Sequence, residues 1–334
     1  MGALDMSVPF PPERPGNNMP ITRFIFQRLM QMLLVLIGAV TVLFMVLYLF
    51  VPGDAAQVAL GNHATPESLE NLRRELGLDR PLWDQYGIYM SRLAHLDLGT
   101  SYELKRSVSS IIFGHLPATL FLTLAALALE TAFGLGWGML LTLRGSLRLQ
   151  AVSAATGAVL LALPAFFLAM LLQYIFAIKL KILPISGTGG WNPLNLILPA
   201  ITLAAAQSAI IAGVSRSTLS AEMNKPYILA ARARGLTRKQ AMINHGFRNA
   251  FGPVATLLAI DFGTLLGGAM ITEIVFSWPG MGRMTYFAAQ SRDVPLVIGA
   301  VIILVSIFVV INTCMDLAYG LLDPRVRSSA GNRG

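Results

Sequence analysis

Leu29–Val51 has the sequence LMQMLLVLIGAVTVLFMVLYLFV, 23 residues without a charged side chain. A bilayer hydrocarbon core about 30 Å thick requires roughly 20 apolar residues at the helical rise. The stretch is longer than the core of a secretory signal peptide, which has about 7–15 residues, and no convincing cleavage site follows it. We therefore expect a membrane helix that the protein retains.

Five further apolar segments of similar length follow along the chain. They are Leu116–Leu143, Ala151–Ile178, Leu196–Val214, Pro253–Phe276 and Pro295–Tyr319. Pro164 interrupts the third of the six spans, and its ring removes a backbone hydrogen bond, which predicts a kink. The sequence thus predicts an all-α polytopic membrane protein with six transmembrane helices.

Composition supports a membrane protein and argues against other classes. Hydrophobic residues make up 55% of the 334 positions, charged residues 13%, and the mean hydropathy is +0.64. Average soluble domains carry about 25% charged residues, so a soluble two-domain enzyme is disfavoured. The single cysteine, Cys314, excludes a scaffold held by disulfides within the chain.

The distribution of basic residues predicts that both termini are cytoplasmic, because cytoplasmic loops carry an excess of Lys and Arg. Arg144 and Arg148 lie in the second connection, and the fourth, residues 215–252, has one acid, Glu222, among many basic side chains. Those are Arg216, Lys225, Arg232, Arg234, Arg238, Lys239 and Arg248. The net charge of +8 is then a signal for topology, and nucleic acid is not an expected partner.

These features divide the chain into a transmembrane domain and two tails. Residues 1–28 are a proline-rich cytoplasmic tail, 29–320 the transmembrane domain and 321–334 a second cytoplasmic tail. Within the domain, residues 52–115 form an extracytoplasmic loop, and residues 215–252 form the long cytoplasmic loop.

The extracytoplasmic loop contains a predicted short helix. Thr65 is its cap, Pro66 its first residue and Gly77 its end, with an apolar stripe between them. Two interpretations stand: the helix rests on the rim of the bundle, or it receives a partner protein outside the membrane.

The cytoplasmic loop predicts two short helices joined by a turn. Pro226 suits the first turn of a helix that continues through Tyr227–Arg234, and Gly235 can end it in a left-handed conformation. Thr237 and Gln240 have the spacing of a capping box, which starts a second helix. The first helix has a face of small side chains, namely Ala230, Ala231 and Ala233.

Two interpretations of this loop follow from its chemistry. It is either an amphipathic segment held at the inner face by anionic lipid, or a docking surface at which small alanines let a cytosolic partner approach closely.

Residues 230–254, AARARGLTRKQAMINHGFRNAFGPV, resemble the EAA loop of ABC importer permeases, most closely that of the dipeptide, oligopeptide and nickel permease family. Shorter pieces agree in order and spacing along nearly the whole chain. They are VPGDAA (51–56), LGLDRPLWDQY (76–86), LDLGTSY (96–102), LPATL (116–120), LPISG (183–187), ITEIVFSWPGMGR (271–283) and LLDPRVR (321–327).

The resemblance implies a set of residues that couple the chain to an ATPase. They are Tyr227, Ala230, Ala231, Arg232, Gly235, His245, Arg248 and Asn249. Leu229 stands where the general motif has a glutamate, so a charge contact is not expected at that position.

The same resemblance implies the type I ABC importer permease fold, with a coupling helix between spans four and five. The chain would form the translocation pathway for di- or oligopeptides delivered by a substrate-binding protein. Nickel, metal–chelator complexes and glutathione are alternative substrates within the family. The implied partners are a second homologous permease, two ABC ATPase subunits, the extracytoplasmic binding protein and the lipid bilayer, in the bacterial cytoplasmic (inner) membrane.

The chain has no Gly-x-x-x-x-Gly-Lys-[Ser/Thr] loop to bind ATP phosphates. ATP and Mg²⁺ are therefore expected on the partner ATPase, and we expect no cofactor, metal or catalytic residue in this chain. A secondary transporter would require inverted repeats with paired broken helices, and a membrane-embedded hydrolase would require a nucleophile and a base at membrane depth. Neither pattern is evident in the sequence.

Four acids fall in or near the apolar spans, where a charge is costly and suggests a functional site. They are Glu130, Asp261, Glu273 and Asp316. We expect structural hydrogen bonds, or protonation near a helix end, for these side chains, except for Asp261, which lies nearest the middle of a span and is a candidate for the substrate path.

The predicted topology can be tested by cysteine labelling. A cysteine near Arg238 should react with impermeant reagents only after the inner face is exposed, whereas a cysteine near Asp84 should react in intact spheroplasts. The reverse pattern would contradict six spans with both termini inside.

Overall fold

The computed structural model describes residues 21–49, 56, 60, 65–77, 79–188 and 192–322. The proline-rich tail through residue 20, the segment VPGDAA apart from Ala56, and the C-terminal tail from residue 323 lie outside the described residues. The predictions for those segments stay predictions.

Helices make up nearly all of the described structure, which contains one isolated β-bridge between Thr100 and Ser107. In chain order they are α1 (Ile21–Leu49), α2 (Pro66–Leu76), α3 (Leu82–Ala94), α4 (Val108–Arg144), α5 (Leu147–Ala162), α6 (Ala165–Leu172), α7 (Pro193–Met223), α8 (Pro226–Ala233), α9 (Arg238–Ala241), α10 (Phe247–Val275), α11 (Met281–Gln290) and α12 (Val294–Leu322). Wider, π-type turns extend α6 to Lys179 and join α9 to α10 through Met242–Gly246.

Among the described residues, α1, α4, α7, the continuous run from α9 through α10, and α12 are long and apolar enough to cross a membrane. The pair α5–α6 provides a sixth crossing if it is taken as one span. The all-α fold with six apolar segments is thus confirmed, whereas the side on which the termini lie stays a prediction.

The third span is broken more sharply than the predicted kink. The two halves meet at 104° around Pro164. Leu163 has an extended backbone, with φ −77° and ψ 126°, because the ring of a following proline disfavours the helical conformation. The break therefore turns the chain rather than merely bending a helix.

Glycines allow two long helices to pack closely at the centre of the bundle. A Cβ atom on Gly134 would lie 2.5 Å from Ile211 Cγ2, and one on Gly138 would lie 2.6 Å from Ser215 Cβ. Gly136, on another face of α4, has open space around it. The close contact of α4 with α7 thus depends on the absence of a side chain at the two contacting glycines.

The predicted outer helix is present as α2. The Thr65 hydroxyl accepts from Ser68 N–H at 3.2 Å, Pro66 occupies the first turn, and Gly77 ends the helix with φ +69°. Its bounds and both ends agree with the prediction, because each depends on residues adjacent in sequence.

Candidate functional site: the loop between the fourth and fifth spans

Helix α8 packs against the ends of the spans that flank it. Ile228 and Ala231 are 0% and 1% exposed. Ile228 joins an apolar cluster with Leu219 and Met223 from α7 and Met242 from the turns before α10. Burial of these apolar groups stabilises the position of α8 on the bundle.

The turn after α8 has the predicted form. Gly235 has φ +96°, and its N–H donates to the carbonyl oxygen of Arg232 at 3.0 Å. Thr237 and Gln240 form a capping box in which each side chain accepts from the other residue's N–H, at 3.3 Å and 2.9 Å. The N–H groups of Gly235, Thr237 and Gln240 are therefore all hydrogen-bonded within the turn.

A polar network fixes α8 to both flanking spans. The Tyr227 hydroxyl donates to one carboxylate oxygen of Glu222, at the end of α7, and Lys225 binds the other. Asn249, in the first turn of α10, donates to the Tyr227 hydroxyl at 2.9 Å. One tyrosine side chain thus connects the end of one span to the beginning of the next.

The electrostatics of this network favour the observed bonds. Burial raises the pKa of the Tyr227 hydroxyl, and the bond to Glu222 raises it further. The bond to the Glu222 carboxylate also raises the pKa of the Lys225 ammonium group. Both donors therefore keep their protons near neutral pH.

A further contact anchors the second short helix to the bundle. Arg238 donates to the carbonyl oxygen of Thr142 at 3.0 Å, near the end of α4. A cation is favourable there, because the last carbonyl groups of a helix carry partial negative charge. Arg238 therefore has a structural contact in addition to its contribution to positive charge.

The outer surface of the loop mixes apolar and basic side chains. Tyr227 is 38% exposed, Leu229 54% and Ile243 46%, and Ala230 lies exposed beside them. Arg232, Gly235, His245, Arg248 and Asn249 are exposed as well. We call Tyr227, Leu229 and Ala230, the exposed residues of α8 among these, the α8 surface.

The prediction that Ala231 lies on an exposed face of small side chains is wrong. Its side chain is 1% exposed and faces the bundle, because α8 presents Ile228 and Ala231, three residues apart, to the apolar cluster beneath it. Ala230 is the exposed member of the pair, so any close approach of a partner would involve Ala230 directly.

Asp261 lies in the interior of the bundle and is 4% exposed. Gln207 Nε2 on α7 and Thr264 Oγ1 each donate to its Oδ1 atom at 2.6 Å. In this conformation its side chain is enclosed between helices, and its place on a substrate path stays a prediction.

The other acids divide into bonded and unbonded groups. Glu273 accepts from Thr119 Oγ1 at 2.6 Å and Arg283 N–H at 2.9 Å, which ties α10 to α4 and α11, as expected for a structural acid. Glu130 is 0% exposed, and neither of its carboxyl oxygens has a hydrogen-bond donor among the described residues. The side chain of Asp316 lies outside the described residues.

Sequence reasoning missed two polar side chains with several contacts. Asp293 is 0% exposed and accepts from the Ser101 hydroxyl and from Tyr102 N–H at 3.1 Å. Its position directly before α12 was a detectable sign of a helix cap. The sequence shows Glu222 only as an acid among basic residues, and its bonds to Tyr227 and Lys225 are a feature of the folded loop.

No three His, Cys, Asp or Glu side chains come together as a metal site within the described ranges. The geometry here is that of a packed loop with an exposed face, and it does not assemble a nucleophile with a base.

Two family descriptions match the chain. One, the binding-protein-dependent transport system inner membrane component, matches residues 134–328, and its N-terminal counterpart matches residues 21–123. The chain belongs to this family of inner-membrane components of binding-protein-dependent transport systems. It is a permease subunit of an ABC importer, and membership implies a substrate-binding protein, an ATPase and the membrane as partners.

Individual relatives cover most of the chain. The dipeptide transport system permease protein of Alkalihalophilus pseudofirmus is 34% identical over 330 residues, covering 91% of this chain and 99% of that protein. The glutathione transport system permease protein of Pectobacterium atrosepticum is 36% identical over 301 residues, covering 88% and 97%. Its counterpart in Escherichia coli K12 is 34% identical over 301 residues, covering 87% and 97%.

One solved structure is also similar, a crystal structure described as an amino acid ABC transporter with histidines. Its TM-score is 0.47 at 20% sequence identity, covering 65% of this chain and 94% of that chain.

The network around Tyr227 predicts a local effect of Tyr227→Phe. The variant loses the hydroxyl that joins Glu222 to Asn249, and such a bond contributes about 0.5–1.5 kcal/mol. Amide hydrogen exchange in α8 should then increase by about fivefold while the long helices keep their protection. Tyr174→Phe, which removes a hydroxyl from an exposed tyrosine beyond α6, is the control and should leave α8 unchanged. Equal exchange in both variants would show that the network does not hold α8.

Proposed function

We propose that the chain imports short peptides as one of two homologous permease subunits, driven by two ATPase subunits that dock on the α8 surface. In this proposal the substrate-binding protein delivers the peptide from outside. ATP and Mg²⁺ bind to the ATPase subunits, and this chain performs no catalysis of its own.

The attachment of α8 supports a coupling role more than any other observation. The helix is held to α7 by Glu222 and to α10 by Asn249, both through Tyr227. Ile228 and Ala231 pack it onto the bundle from below. A displacement of α8 would therefore move the ends of two membrane spans, which is the connection that an ATP-driven change of access requires.

The exposed face of α8 has the properties of a docking site. Tyr227 and Leu229 offer apolar area, and Ala230 between them lets another backbone approach closely. ATP binding to the partner would shift the equilibrium between two arrangements only if contacts at this face differ between them. Leu229 in place of an acid is consistent with an apolar contact here.

Relatives support a peptide as the substrate. Those described above are named for dipeptide and for glutathione transport. Glutathione is itself a tripeptide, so both names refer to short chains carrying an amino group, a carboxylate and amide bonds. We infer the same class of substrate for this chain.

The docking proposal is tested by Ala230→Glu. A large charged side chain at the centre of the α8 surface should keep the two proteins apart. Recovery of the ATPase with the tagged permease and dipeptide-stimulated ATP hydrolysis should each fall by about tenfold, corresponding to about 1.4 kcal/mol of contact energy. The bundle should remain folded, because Ala230 is exposed.

Two controls separate docking from lipid anchoring. Ala221→Glu places the same side chain on an exposed position of α7, outside α8, and should retain coupling. Arg234→Ala combined with Lys239→Ala removes charge and leaves the α8 surface intact. Normal coupling in Ala230→Glu together with failure of the charge variant would favour the lipid role. If the ATPase docks normally but no short peptide stimulates ATP hydrolysis, the inferred class of substrate would be wrong and the docking proposal would stand.

A further inference from the structure

A second polar group lies far from the loop, at the middle of the membrane spans. Asp261 is fourteen residues from either end of α10, about 21 Å at the helical rise. Glu130 of α4, whose side chain interacts with Asp261, is 0% exposed, and Asp261 is 4% exposed. Polar atoms buried to this extent need partners within the protein.

The register of the helices brings Glu130 towards this site. Gly134 packs on Ile211 and Gly138 on Ser215, so α4 and α7 run parallel with a constant offset. Glu130 lies one turn before Gly134 and therefore faces the turn of α7 that contains Gln207. Gln207 in turn reaches across to Asp261 on α10.

Hydrogen-bond donors are distributed unevenly over the two acids. Gln207 and Thr264 both donate to Asp261 Oδ1. Asp261 Oδ2 and both carboxyl oxygens of Glu130 are buried without a donor among the described residues. The two carboxyl groups interact with one another, and both are placed around Gln207 by the register of α4 on α7 and by the Gln207–Asp261 bond.

Two ionised carboxylates cannot persist in this arrangement. Like charges at close range repel strongly where the dielectric constant is low, and such pairs retain a proton between them. A proton on one Glu130 oxygen also supplies the donor that Asp261 Oδ2 lacks. A protonated Glu130 can donate to Asp261 Oδ2, while Asp261 Oδ1 keeps its bonds to Gln207 and Thr264.

We propose that Glu130 and Asp261 form a proton-binding site at membrane depth, in which a proton carried by Glu130 joins α4 to α10. Gln207 on α7 donates to Asp261 and so connects α7 to the same pair of acids. Helices α7 and α10 are the spans that enter and leave the cytoplasmic loop, so the bound proton joins α4 to one of the two spans that α8 connects.

Among the described residues, Asp261 is the titratable side chain that interacts with Glu130. From α10 the titratable side chain facing Glu130 is Asp261, and from α7 the facing polar side chain is Gln207, which is uncharged. Helices α11 and α12 pack on the first half of α4, around Val108 and Ile112, more than four turns before Glu130. The proton is therefore shared by these two acids.

Infrared spectroscopy of the assembled transporter in lipid nanodiscs tests the proposal. The wild type should show a carboxylic-acid carbonyl band that shifts in D₂O and is absent from Glu130→Gln. The band should persist in Glu273→Gln, which removes a buried acid that already has donors. Identical carboxylic-acid bands in the wild type and Glu130→Gln would overturn the proposal.

Thermal stability provides an independent readout of the same site. At acidic pH Glu130→Gln should retain the wild-type melting temperature, because the amide supplies a donor in the shape of the protonated acid, whereas Glu130→Ala should lower it. As the pH rises above the ordinary range of a carboxyl group, the wild type should lose stability relative to Glu130→Gln, since the unfolded chain releases the proton that the folded chain holds. Equal destabilisation by Gln and Ala would contradict proton binding. Stabilisation of the wild type by Na⁺ over choline, absent in Glu130→Gln, would show that the ligand is a metal cation instead.

Discussion

Hydrocarbon offers no hydrogen bonds to a protein backbone, and the architecture depends on this constraint. Every amide in a span must be bonded within the chain, so the spans are helices whose irregularities occur where other protein groups compensate. The break at Pro164 is one such place. Lipid tails are as apolar as the side chains, so apolar surface gains little when it leaves lipid for another helix. Close packing therefore holds the helices together, as Gly134 and Gly138 show where they contact α7.

Buried polar side chains in the same environment connect different parts of the chain through hydrogen bonds. Glu273 binds Thr119 and the backbone of Arg283, and Asp293 binds the loop at Ser101, so each connects segments that are distant in sequence. Glu130 and Asp261 differ because donors reach one oxygen of the pair only. At the loop, Tyr227 performs the connecting role near water, where its bonds are weaker and a helix can move more readily.

Features set by neighbouring residues could be predicted from the sequence. Gly235 ends α8, Thr237 and Gln240 form a capping box, and Pro164 breaks the third span, because each depends on local backbone chemistry. The inward face of Ala231 could not be predicted, since α8 is too short for its apolar pattern to define one side. The partners of Glu222 are Lys225 and Tyr227, three and five residues further along the chain, beyond the end of α7, and only the folded chain shows them together.

A crosslink distinguishes docking of the ATPase on the α8 surface from docking elsewhere on the chain. A photoreactive amino acid at Leu229, 54% exposed on that surface, should form an adduct with the ATPase in the assembled transporter. The same probe at Leu96, 86% exposed beyond α3, should not. Adducts of Leu229 with lipid alone, while the ATPase crosslinks elsewhere on the chain, would contradict the account.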